Sequence, residues 1–193
     1  MKTLVLFLLI AASTVFARAD ILANGNFSDG TAHWKGDGIA SSDPLGITIQ
    51  LDPAKWTKIF QTFNTGEEAL DFNVSYVPSS DCSLTSGPER LSGRFLSKVD
   101  LKQMLGVLVA APIKLKPRSW LVLIVDPAGN ECHYANISVA AGATGVLGAN
   151  GTLRTLAAHE EKTLYLVFPP GDGTVTVQSI SLSPRTASAP VAP

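Results

Sequence analysis

Between Leu70 and Tyr76 every second residue is apolar: Leu70, Phe72, Val74 and Tyr76 alternate with Asp71, Asn73 and Ser75. Successive side chains of a strand point to opposite faces, so this run can gather its apolar side only as a β-strand whose other side meets water. A helix would scatter the same four residues around its axis. Pro78 closes the run.

The same signal recurs along the chain. Ile47, Ile49 and Leu51 alternate with Thr48 and Gln50, and residues 57–63 are rich in β-branched and aromatic side chains before the turn Asn64-Thr65-Gly66. Trp120-Leu121-Val122-Leu123-Ile124-Val125 is continuously apolar, with Pro117 before it and Asp126-Pro127-Ala128-Gly129-Asn130 behind. A short β-branched run bounded by turn residues predicts a central strand buried on both faces. Further strands are expected over 132–139 and 163–168, the second stopped by Pro169-Pro170-Gly171. Val175 and Val177 share one parity, Ile180 and Leu182 the other, so a β-bulge is expected at Gln178-Ser179. Helix signals are few. Asp100 reads as an N-cap with Gln103 behind it and Leu101, Met104, Leu105 and Leu108 on one face, while Gly106, Val107 and Val109 limit the helix to about two turns. Within 79–117, Gly87-Pro88 and Gly93 mark loops, and Ile113 and Leu115 hint at an edge strand. Short strands separated by Gly and Pro turns predict an all-β protein, an antiparallel β-sandwich (jelly roll) with at most one or two short helices.

The start of the chain has a different character. Lys2, the apolar run from Leu4 to Ala12 and the small-residue pattern Ala17-Arg18-Ala19 predict a secretory signal peptide over 1–19. The run is shorter than the roughly 20 residues of a spanning helix, so no membrane span is expected in the mature chain. Removing nineteen of 193 residues leaves 174, enough for one domain, expected over 20–183. Lys2 and Arg18 leave with the signal, so the formal charge moves from −1 to −3. A weakly acidic chain lacks the basic stripe that nucleic acid requires. Residues 184–193 carry no periodic apolar pattern and are expected to form a disordered tail. In an exported chain the two cysteines, Cys82 and Cys132, are expected to form one disulfide.

The segment Asn24-Gly25-Asn26-Phe27-Ser28-Asp29-Gly30, with Trp34 and Gly36 after it, resembles the opening of bacterial jelly-roll modules with the galactose-binding-like fold, among them many carbohydrate-binding modules. Ile59-Phe60-Gln61-Thr62-Phe63 and the stretch 175–182 are similar to later strands of such modules. The resemblance implies a non-catalytic sugar-binding module and, in many relatives, a structural calcium held by an acid after the Phe and another in the closing strand. Ser28 and Gln178 or Ser179 stand at those places here, so that site lacks its two charges, with Asp20 and Asp29 the acids that could substitute. The expected cofactor set is therefore none, and no metal site is assigned.

Catalytic patterns are missing from the sequence. His33, His133 and His159 form no spaced pair, and His159-Glu160-Glu161-Lys162-Thr163 has Thr where a zinc-binding helix needs its second His. Neither a Gly-x-Ser-x-Gly elbow nor a phosphate-binding Gly-rich loop occurs. Sugar rings present C–H faces that stack on aromatics and hydroxyls that need partners, which makes Trp56, in the loop 52–56, the first candidate, with Trp120 and Tyr134 next. Asp126, at a strand end beside Pro127 and Gly129, is the carboxylate best placed to join them. The sequence therefore predicts an exported, non-enzymatic binding module, secreted, periplasmic or at the cell surface. Its expected partner is a carbohydrate or a cell-surface component. The alternatives are a structural or adhesive envelope protein that binds another protein, favoured by a chain that is 46% hydrophobic, and a small glycan-active hydrolase.

Overall fold

The computed structural model describes residues 20–43, 45–66, 69–84, 95–96, 98–106, 113–129, 132–154 and 161–185. The expected signal segment, Leu108 and the tail beyond Arg185 lie outside them. The described elements are β1 (Lys35–Gly36), β2 (Ile39–Asp43), β3 (Gly46–Gln50), β4 (Thr57–Asn64), β5 (Ala69–Pro78), β6 (Phe95–Leu96), α1 (Lys98–Leu105), β7 (Ile113–Lys114), β8 (Ser119–Val125), β9 (Cys132–Ser138), β10 (Leu147–Arg154), β11 (Glu161–Phe168) and β12 (Thr174–Pro184).

Two five-stranded antiparallel sheets face each other as a jelly-roll sandwich, one ordered β1-β4-β11-β8-β9 and the other β10-β5-β12-β3-β2. Strand parity builds the interior. Leu70, Phe72, Val74 and Tyr76 of β5 point inward against Trp120, Val122 and Ile124 of β8 and Leu164, Leu166 and Phe168 of β11. The expected bulge is present: the β12–β5 register shifts between Val177 and Ser179, which lets Val175, Val177, Ile180 and Leu182 all reach the core. Strand β12 runs to Pro184, and Arg185 donates its backbone N–H to Ala69, so the closing strand goes slightly past the expected domain end. Helix α1 begins at Lys98, two residues before the expected cap at Asp100, and ends at Leu105, followed by Gly106, whose φ of 81° suits glycine.

The motif around Asn24 docks the start of the domain. The Asn24 side-chain amide donates to the carbonyls of Gly30 (3.0 Å) and Ala32 (3.1 Å), and its oxygen accepts the Asp29 N–H (3.0 Å). The Trp34 indole donates to the Asn24 carbonyl at 3.2 Å while its ring packs on Phe27, centroids 5.3 Å apart. A Cβ on Gly25 would stand 2.2 Å from the carbonyl oxygen of Ile180, so only glycine lets this loop meet the β12 bulge. Gln61 completes the join: its side chain donates to the carbonyl of Ala23 and accepts that residue's N–H, both at 2.8 Å, as a strand partner would.

The expected disulfide is corrected, for both cysteines are free thiols. Cys132 pairs with Val125 at one end of the β8–β9 ladder, whereas Cys82 lines a cavity with Arg118 and Val139 at the other. The intervening strand, at about 3.3 Å per residue, holds them roughly 20 Å apart, and a disulfide needs Cα atoms within about 7 Å. Burial raises both thiol pKa values, with Asp81 and Asp126 respectively adding to it, to about 11 for Cys82 and about 12 for Cys132.

Candidate functional site

The outer face of the β4-β11-β8-β9 sheet is apolar. Leu121, Leu123 and Val125 of β8, Tyr165 and Val167 of β11 and Cys132 of β9 all point away from the sandwich core. Leu101, Met104 and Leu105 of α1, with Ile113 and Leu115, lie over them and form a second buried cluster. Half-buried Trp56, Phe60 and Tyr134 pack against its margins. A strand as apolar as β8 on both faces requires such a cover, because leaving three large side chains in water forfeits roughly 1.5–3 kcal/mol for each.

Where the cover ends, at β9, a cavity of about 400 Å³ opens between Lys114, Leu115, Lys116, Pro117, Tyr134 and Asn136. Two side chains of β9 hold its far wall. The Tyr134 hydroxyl accepts the Lys114 backbone N–H at 2.9 Å. Asn136 donates from its amide nitrogen to the Lys114 carbonyl (3.0 Å), while its oxygen accepts the Lys116 N–H (2.8 Å) and the Ser119 hydroxyl (3.0 Å). Asn136 thus replaces the backbone of a missing sheet neighbour, fixing segment 114–116 along β9 and leaving the Tyr134 ring and the Lys114 and Lys116 side chains at the cavity. Lys114, Lys116 and Pro117 are exposed; Leu115 is buried at the base.

The four residues singled out from the sequence are not brought together. Tyr134 lines the cavity. Trp56 precedes β4 on the same outer face, but β11 and β8 lie between β4 and β9. Trp120 is corrected from ligand contact to core. It is fully buried, stacked on Phe168 with centroids 5.0 Å apart and set edge-on to Tyr76 at 5.4 Å, so its ring is spent on packing. Its inward parity on β8 follows from a strand apolar on both sides, where sequence gives no sign of which face is the interior. Asp126 is buried at the Cys132 end of β8, and its carbonyl closes the turn by accepting the Gly129 N–H at 3.0 Å. Lys114, Lys116, Pro117 and Asn136 escaped sequence reasoning; the hint of an edge strand at Ile113 and Leu115 was the one signal near them.

The calcium site implied by the resemblance does not fit these residues. The Gly30 and Ala32 carbonyls are taken by the Asn24 amide, Asp20 accepts the N–H groups of Leu22 and Leu182 (3.0 Å each), and Gln178 accepts the Ser75 hydroxyl. Among the described residues no three of His, Cys, Asp and Glu gather as a metal group. Asp29, the other acid available, lies exposed on the loop.

No protein-family model matches the chain, and no curated protein matches it in sequence. Solved structures do. An arabinose-bound α-L-arabinofuranosidase superposes with a TM-score of 0.58 at 12% identity over 88% of this chain, which covers 27% of that enzyme. The enzymatically active domain of a tailspike protein of bacteriophage CBA120 gives 0.51 at 8% identity, over 85% of this chain and 21% of that one. The carbohydrate-binding module TmCBM61, in complex with β-1,4-galactotriose, gives 0.47 at 10% identity over 86% of this chain and 99% of the module. The chain therefore spans about a quarter of the two larger proteins and nearly the whole of the module. At the level of fold the expected jelly-roll sandwich holds, in the sheet order of this chain and in its superposition on parts of the two larger proteins.

Proposed function

We propose that the chain is an exported, non-catalytic carbohydrate-binding module whose ligand enters the cavity beside Tyr134. The observation that carries this reading is the half-exposed Tyr134 ring lining a recess of about 400 Å³, a size suited to one or two sugar units. Its hydroxyl is tied to the backbone of Lys114, so the ring is held in place before a ligand arrives and loses little rotamer freedom on binding. A glycosidase would need two facing carboxylates, and the described residues lining this cavity include none. The fold is shared with about a quarter of an arabinose-bound α-L-arabinofuranosidase, which supports a role beside sugars. Export rests on the signal-peptide pattern of residues 1–19. Among the described residues the two most exposed large apolar side chains, Leu45 and Val146, precede β3 and β10 and so flank separate parts of the second sheet, which favours a sugar over a protein partner.

Affinity electrophoresis of the mature chain through gels containing soluble polysaccharides tests the reading. Retardation by at least one glycan, reduced about tenfold in affinity by Tyr134→Ala in a variant that still unfolds cooperatively above the assay temperature, is the expected result. Retardation of Tyr134→Ala equal to that of the parent would remove the site.

A further inference from the structure

Two asparagines of the chain stand directly before a glycine, in Asn24-Gly25 and Asn150-Gly151, and the fold holds them in opposite ways. Packing demands both glycines. At Gly25 the backbone of Ile180 leaves no room for a side chain, and at Gly151 a Cβ would stand 2.8 Å from Cε1 and 3.2 Å from Cζ of the buried Phe72 ring. The asparagines before them differ. The Asn24 amide is fixed by its contacts with Gly30, Ala32 and Asp29, and Gly25 behind it is buried. Asn150 lies exposed on the outer face of β10, opposite Asn73, and among the described residues its amide has no hydrogen-bond partner. Strand β10 ends its sheet, paired among the described strands with β5 alone, and carries Gly148 as well as Gly151. Leaving the extended conformation therefore costs it less than it would cost a central strand.

We propose that Asn150-Gly151 is a site of spontaneous covalent modification, where the exposed amide of Asn150 is lost as ammonia while that of Asn24 is kept. The main-chain nitrogen of Gly151 attacks Cγ of Asn150. The N–Cγ bond forms, the Cγ–Nδ2 bond breaks, and the departing ammonia takes the proton of the attacking nitrogen, leaving a cyclic imide. Water then opens either carbonyl of the imide and gives aspartate or isoaspartate at position 150, so one water is consumed and one ammonia released with no change of oxidation state. Glycine favours the attack because no Cβ shields its nitrogen, and local opening of β10 supplies the bend that an extended strand lacks. Asn24 would have to give up all three contacts before its Cγ could turn toward Gly25. Aspartate adds a charge on the open face near Asp71, which stands opposite Thr152. Isoaspartate adds a main-chain atom to β10, so the register with β5 cannot continue past Asn150, and Leu153 is displaced from the core.

Incubation of the folded mature chain at mildly alkaline pH, followed by peptide mapping by mass, decides the matter. The expected result is a gain of about 1 Da at Asn150, at least about tenfold faster than at Asn24, with isoaspartate detected by enzymatic carboxyl methylation. In the urea-denatured chain the two rates should agree within about threefold, because both asparagines then precede an unrestrained glycine. Asn150→Gln, whose longer side chain closes the imide poorly, should stay unmodified at that position and keep its melting temperature through the incubation, while the parent's falls as isoaspartate accumulates. Conversion of Asn24 as fast as Asn150 in the folded chain would overturn the proposal. So would conversion at Asn150 no faster than at Asn73, which faces it from β5 but is followed by Val74, since pairing would then protect the edge strand. A difference in the denatured chain as large as in the folded one would overturn it too, by tracing the contrast to sequence neighbours instead of the fold.

Discussion

Outside the sandwich, β8 presents Leu121, Leu123 and Val125 where β5 presents Asp71, Asn73 and Ser75. The first set is buried beneath α1 and residues 113–115; the second forms, with Thr48, Thr176 and Thr152, an open polar sheet. On that open face side chains satisfy one another across strands. Thr48 and Thr176 hydroxyls meet at 2.9 Å, and the Thr152 hydroxyl donates to Asp71 at 2.7 Å. The contrast teaches where a binding recess can arise on such a fold. A bare polar sheet is flat and solvated, whereas a capped sheet acquires concavity at the margin of its cap, and that margin is where Tyr134 stands.

The largest test of this contrast is a charge placed on each outer face. Leu123→Asp puts a carboxylate under the cap with no partner and should cost at least about 4 kcal/mol in urea unfolding, or prevent folding. Ser181→Asp, on the open face, should change stability by less than about 0.5 kcal/mol. Equal costs would break the distinction between the faces.

Next in size is the edge of the cap. Asn136→Ala removes three hydrogen bonds to segment 114–119 and, at about 1 kcal/mol net for each, should cost about 2–3 kcal/mol. Hydrogen exchange at the Lys116 amide should accelerate in step. Asn136→Asp keeps both accepting interactions and loses only the donation to Lys114, so a smaller loss is expected. Asn136 also begins an Asn-x-Ser sequon, and a glycan on its nitrogen would have to displace the Lys114 contact.

A third comparison sets the thiol beneath the cap against the thiol at the end of the sandwich. Both fold with raised pKa values, so each keeps its proton longer when folded. The stability they lend is complete below the ordinary thiol value near 9 and declines as pH rises, through about 11 for Cys82 and then about 12 for Cys132. The full loss is at most on the order of 3 kcal/mol for Cys82 and 4 kcal/mol for Cys132. Ellman's reagent should find both cysteines after denaturation and react slowly with the folded protein, Cys82 ahead of Cys132. Finding none after denaturation would restore the disulfide.

What the sequence makes legible follows from what strand parity encodes. Alternation located β3, β5 and β12, β-branched and aromatic content located β4, and the parity slip marked the bulge at Gln178-Ser179, because these strands have one wet and one dry face. The apolar run of β8 announced burial on both sides but left Trp120 indistinguishable from a ring on the outer face. Strand β10, Leu147–Arg154, carries Gly148, Asn150 and Gly151 and gave no strand signal; it forms because β5 offers it a full antiparallel register from Leu147↔Tyr76 to Arg154↔Ala69. The cavity was hidden for the same reason. Its walls are a turn and two β9 side chains brought together by pairing over some twenty residues, and no local pattern specifies that meeting.

The smallest effect probes the open face itself. Thr48 and Thr176 sit directly opposite each other on β3 and β12, so their hydroxyl contact can be isolated by a double-mutant cycle with valine at each position. Valine keeps the β-branched shape and removes the hydroxyl, leaving strand propensity almost unchanged. Because both hydroxyls also reach water when unpaired, the coupling should be about 0.5 kcal/mol, at the low end for cross-strand pairs. A coupling above about 1.5 kcal/mol would mean that the polar skin of this sheet holds it together as firmly as the cap holds the other. The two faces would then differ in chemistry alone, and the reason for expecting a ligand at the cap's margin rather than on the open sheet would rest on Tyr134.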